Sequence, residues 1–205
     1  VELVYADNGS SADKAPSAAQ QLVSEGVSVV LGSYGSGVSI AAGPTFGNAG
    51  LPAIGVTCTN PQVTSDCEVY FRVCFLDPFQ GTVLANYAYK ELGVTKAYTL
   101  AMLGSDYDQG LVYYFAEAFK ALGGEVISED FPESTANFVS YVNNAKAAGA
   151  GVIFAPVSTN YAQLIIEAAA AQGYEGELLG SDTWDNNLVV ELSLILISEP
   201  TRRTP

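Results

Sequence analysis

The sequence predicts an α/β fold built on parallel sheets, and three features predict it. Short apolar runs such as VSVVL (27–31) and PAIGV (52–56) show no polar alternation, as strands buried on both faces require. Between such runs lie stretches of roughly 10 to 15 residues with apolar positions at helical spacing. Glycines such as Gly26 and Gly149 stand where those stretches end, the place of a left-handed C′ residue.

Taken in order, residues 1–6 (VELVYA) read as a strand and 14–25 as a helix. Residues 27–31 form a buried strand, 37–48 a helix, and 52–56 and 69–75 two further strands. Then follow helix 80–92, strand 97–103, helix 109–122 and strand 126–130. Helix 137–147 has Ser134 and Thr135 as candidate caps, and strand 151–155, helix 161–172 and strand 178–179 complete the series. Pro78 cannot donate a backbone N–H and restricts Asp77, so 75–79 reads as a crossover between two lobes and a hinge. The expected organisation is therefore 1–76 as part of a first lobe and 77–192 as a second. The last stretch, 193–205, turns strongly apolar and then basic and proline-bounded, and is read as a tail foreign to the domain.

Composition removes several classes of function. With eight Lys plus Arg against 22 Asp plus Glu, the net charge is −14. Nucleic acids and anionic membrane surfaces draw affinity from cations that such a chain lacks. No apolar run reaches the roughly 18 residues of a membrane span. The chain has no histidine, so a Ser-His-Asp triad is impossible and the commonest metal ligand is missing. No catalytic residue, metal site or cofactor is expected. Cys58 and Cys67 flank a polar loop, which leaves a local disulfide open, while Cys74 reads as a small apolar residue.

Ligands of open parallel sheets sit beyond the carboxyl ends of the strands. Four loops there are rich in polar groups. Gly32-Ser33-Tyr34-Gly35-Ser36-Gly37 offers backbone N–H groups and Ser36 at a helix start, a seat for a carboxylate or phosphate. It is neither a G-x-G-x-x-G nor a G-K-[ST] motif. Thr57-Cys58-Thr59-Asn60-Pro61 offers a hydroxyl and carbonyls to an amine. In Ser105-Asp106-Tyr107-Asp108, Tyr107 suits ligand packing and Asp106 the capping of the next helix. Asp182, in Ser181-Asp182-Thr183-Trp184, suits an ammonium ion. A seat for a carboxylate and a carboxylate for an ammonium together describe a zwitterion site.

The stretches VLGSYGSGVSIAAGPTFGNAGLPAIGVTCTNP, YFRVCFLDPFQG, SDYDQGL and LLGSDTWDN resemble the leucine/isoleucine/valine-binding branch of the type I periplasmic binding proteins, over about residues 1–190. The resemblance implies two Rossmann-like lobes, binding without catalysis, and no cofactor. It places the ligand carboxylate on Ser36 and nearby N–H groups around Gly35, and the amino group on Thr59 with a carbonyl of Thr57 or Cys58. It further assigns Tyr107 to closure over the amino acid, Asp182 to the ammonium, and Ser158 to a position where an aromatic can occur. Expected partners are a free amino acid, of branched-chain type, and the permease subunits of an ABC importer, with a monomeric protein. An extracytoplasmic location, a signal peptide and a lipid anchor belong to the same expectation. Against the family pattern, a first strand and helix before Val1 and return elements after about residue 192 are expected to be missing. A sensory ligand-binding domain for amides or amino acids is the alternative on the same fold.

Overall fold

In the computed structural model, which describes residues 1–191, every strand pairing is parallel. The chain divides into two units, Val1–Phe79 with Ser105–Gly110, and Gln80–Gly104 with the residues from Leu111 onward.

The first unit holds α1 (Ala15–Ser24), β1 (Val30–Leu31), α2 (Ser36–Ala49), β2 (Ala53–Gly55), α3 (Gln62–Ser65) and β3 (Tyr70–Arg72), with sheet order β1-β2-β3. Its core joins Ala15 and Ala19 of α1 to Val38, Ala42 and Phe46 of α2, over Val30, Ala53 and Tyr70 of the sheet. Alanines on α1 keep that helix close to α2.

From the unit boundary onward run α4 (Asp77–Asn86), which continues into a π-helical turn (Tyr87–Glu91), then β4 (Lys96–Met102) and α5 (Asp106–Ala121). After these come β5 (Glu125–Phe131), α6 (Val139–Ala147), β6 (Val152–Phe154), α7 (Thr159–Ala171) and β7 (Glu177–Leu179). The second sheet has order β5-β4-β6-β7. Residues 97–101 of β4 and all of β6 are buried, which explains their unbroken apolar runs. Phe115 of α5 stacks on Phe154 of β6 with centroids 4.4 Å apart, so helix and sheet lock through aromatic faces.

Several expectations meet corrections. Residues 1–6 form no strand and are mostly exposed, because no described strand lies beside them and an extended segment needs a ladder partner. Asp77 and Pro78 open α4, which starts earlier than the expected residue 80, since proline's fixed φ and missing N–H suit a first turn. Ser105, not Asp106, caps α5: its Oγ accepts from the Asp108 N–H at 3.2 Å and donates to Asp108 Oδ1 at 2.7 Å. Asn137 Oδ1 accepts from the Val139 N–H at 2.8 Å at the start of α6, the place given to Ser134 or Thr135. The supposed foreign tail, 193–205, lies outside the described residues.

Cys58 and Cys67 are buried free thiols, so the disulfide left open by the sequence is not formed. The Cys67 thiol donates to the Gly43 carbonyl at 3.3 Å, and the Cys58 sulfur fills the space a side chain at Gly55 would need. Cys74 is half-buried and is likewise a thiol outside any disulfide. Thiol titration of the denatured, unreduced chain is expected to give three thiols. A disulfide would leave a single reactive thiol.

Candidate functional site

The first unit gathers its polar loops because β1 and β2 are neighbours and both end on the same side. Ser36 is the first residue of α2 and is 2% exposed, with Gly35 before it in extended conformation. The first turn of any helix leaves backbone N–H groups without helical partners, and its dipole favours an anion. Ser39 Oγ donates to the Gly35 carbonyl at 2.9 Å and also meets Ser33 Oγ at 2.9 Å, fixing the loop that leads into this turn. Tyr70 holds the other side of the loop through a 2.8 Å bond from its hydroxyl to the Gly32 carbonyl. Burial pushes the Tyr70 phenol above its ordinary value, so it remains a donor at neutral pH.

The loop after β2 lies against this turn. The Asn60 N–H donates to Ser36 Oγ at 3.2 Å. Thr59 is 1% exposed, and its Oγ1 is buried without a hydrogen-bond partner among the described residues. A buried hydroxyl in that state carries a desolvation cost of about 1–3 kcal/mol, which a ligand atom at this place removes. Thr57 is exposed, and its hydroxyl donates to the Tyr34 carbonyl at 2.7 Å. The Cys58 carbonyl already accepts from Arg72 Nη1 at 3.0 Å and from the Cys74 thiol at 3.4 Å. Of the two carbonyls named for the amino group, Cys58's is thus committed to the protein.

Two organisers of this loop escaped the sequence reading. Arg72, at the end of β3, spreads its guanidinium over the carbonyls of Cys58, Asn60 and Pro61 and the Thr64 hydroxyl, at 2.7–3.1 Å. Asn60 uses its whole amide: Nδ2 donates to the Asp106 carbonyl at 2.8 Å and Oδ1 accepts from the Gln62 N–H at 2.9 Å. The Asp106 bond ties the loop to the start of α5, where half-buried Tyr107 sits. Nothing in the local pattern around Arg72 distinguishes it. Asn60-Pro61 is a turn signal, which hinted at structure but not at a hub.

The second unit repeats the arrangement at the ends of β6 and β7. Ser158 is exposed at the start of α7, and its carbonyl accepts from the Tyr161 and Ala162 N–H groups at 3.0 Å each. Asp182 is exposed in a 3₁₀ turn, Asp182–Trp184. Thr183 Oγ1 donates to the Val157 carbonyl at 2.7 Å, and Thr159 Oγ1 to the Thr183 carbonyl at 3.3 Å. Those bonds bring Ser158 and Asp182 into one loop cluster. Gly35, Ser36, Thr57, Cys58 and Thr59 form the corresponding cluster of the first unit, with Tyr107 attached through Asp106. No cluster of metal-ligating side chains occurs among the described residues.

A family model described as "Periplasmic binding protein" matches residues 1–191. This chain belongs to that family. Leu/Ile/Val-binding protein homolog 3 of Brucella melitensis is 31% identical over 160 residues, covering 75% of this chain and 42% of its own length. Homolog 1 of Brucella suis is 28% identical and is covered to 49%, so the chain spans about half the length of the curated relatives it matches. The structure of the leucine-binding protein LivK of Thermotoga maritima superposes with a TM-score of 0.91 at 30% identity, over 96% of this chain and 57% of that one. LivJ of Streptococcus pneumoniae in complex with isoleucine gives 0.84 at 29% identity, over 94% and 55%. The chain thus shares the type I periplasmic binding protein architecture of these structures, the α/β arrangement its apolar runs predicted.

Arg72 generates a stability prediction for this periplasmic binding protein. Arg72→Met removes the guanidinium donors to the Cys58, Asn60 and Pro61 carbonyls and is expected to lower unfolding free energy by about 2–4 kcal/mol in a urea titration. Arg72→Lys restores little, because an ammonium has no planar fork to span four acceptors.

Proposed function

We propose that the chain is the ligand-binding part of an extracytoplasmic solute-binding protein that captures a free branched-chain amino acid for an ABC importer. The observation that carries the reading is the Thr59 hydroxyl, buried and unpartnered beside the first turn of α2. A zwitterion meets both features: its carboxylate takes the N–H groups of that turn with Ser36, and its amino group takes Thr59 Oγ1. The Thr57 carbonyl is the better second acceptor for the amine, given the partners of Cys58. Asp182 supplies the countercharge to the ammonium, Tyr107 packs over the ligand, and Ser158 lines its side-chain end.

The reading takes residues 1–76 as part of a first lobe and 77–192 as a second. Binding without catalysis fits the periplasmic binding protein family to which the chain belongs. The named relatives, LivK and isoleucine-bound LivJ, support the branched-chain class and the importer as partner. A monomer outside the cytoplasm, delivering its ligand to permease subunits, completes the proposal.

Calorimetry of the intact protein with leucine, isoleucine and valine tests it. At least one is expected to bind with a Kd of about 1 μM or tighter. Ser36→Ala and Asp182→Asn are each expected to weaken that binding about tenfold or more, as loss of a bond to a charged group does. A folded protein that binds none of the three contradicts the reading.

A further inference from the structure

We propose that Gln80 is a positioning residue that fixes the direction of the Asp182 carboxylate; the inference rests on the ammonium-binding role given to Asp182 above. Gln80 lies in the first turn of α4 and is 9% exposed. Its Nε2 donates to Asp182 Oδ1 at 2.8 Å, and its Oε1 accepts from the Asp182 N–H at 3.4 Å. Both ends of one amide therefore grip one residue. Turning the amide over would set oxygen against carboxylate and N–H against N–H, so a single orientation satisfies both bonds.

The depth of this contact follows from the next residue. A Cβ at Gly81 would stand 2.8 Å from the Phe115 nitrogen and 2.9 Å from Tyr114 Cβ, so α4 reaches this close to α5 only with glycine there. That approach carries Gln80 inward while Asp182 itself stays exposed, on a turn of three residues. A side chain on so short a turn has several rotamers open to it, and holding Oδ1 selects among them. A neutral amide does this without adding a cation that would compete with the ligand's ammonium. Lysine or arginine at the same place would neutralise the charge that Asp182 is there to present.

Calorimetry of the intact protein tests the inference, with leucine and with 4-methyl-2-oxopentanoate, the keto acid of the same side chain that lacks the ammonium. The variants are Gln80→Met and Gln80→Leu, either of which removes both bonds, Asp182→Asn, and each Gln80 variant combined with Asp182→Asn. Removing the grip is expected to weaken leucine binding about tenfold. The same change is expected to add nothing in the Asp182→Asn background and to leave keto acid binding unaltered. An equal loss in both backgrounds, or an equal loss for the keto acid, assigns Gln80 a merely structural role and overturns the proposal. Unchanged leucine affinity in the Gln80 variants overturns it as well. Unchanged leucine affinity in Asp182→Asn alone instead overturns the reading of Asp182 on which the proposal stands.

Discussion

Parallel pairing is the constraint from which the rest of this molecule follows. Because β1 and β2 run the same way, their carboxyl ends release the 32–37 and 57–61 loops side by side. The pairing of β6 with β7 does the same for the loops that carry Ser158 and Asp182. Within each unit, residues apart in the chain are thereby delivered to one end of its sheet, and hydrogen bonds then finish the job: Asn60 to Ser36 in one unit, Thr183 to Val157 in the other. An antiparallel sheet would send successive loops to opposite ends and could not assemble such clusters.

Neutral amides hold the clusters in place. Asn60 ties the 57–61 loop to α2 and α5, and Gln80 ties Asp182 to α4. In a chain with eight Lys and Arg against 22 acids, one of the scarce cations, Arg72, is turned inward onto carbonyls. Amides and one arginine thus do the positioning. The side chains that build this framework are fixed by geometry rather than by net charge, so the overall acidity says little about the site.

Much of this was legible in the residues themselves. Unbroken apolar runs at 97–103 and 151–155 marked strands now seen to be buried on both faces as β4 and β6. Glycines and hydroxyls after β1 and β2 marked the loops that the structure brings together. What stayed hidden depends on distant partners. Residues 1–6 have a strand's composition, yet a strand exists only where another lies beside it. Gln80 and Asp182 are 102 residues apart, and no local pattern links them. Arg72 sits in a short strand like any half-exposed arginine, and only the fold sets four acceptors around it. Asp77-Pro78 looked like a break because proline interrupts most patterns; at the start of a helix it belongs.

The central claim is that a zwitterion is held in the first unit, by the first turn of α2 at its carboxylate and by Thr59 at its amino group. A crystal structure of the intact protein grown with leucine tests this most directly. The account predicts the leucine carboxylate at hydrogen-bond distance from Ser36 Oγ and the α2 N–H groups, and the amino nitrogen at such distance from Thr59 Oγ1. Leucine bound elsewhere, or bound with its ammonium turned to the α2 turn, would contradict it.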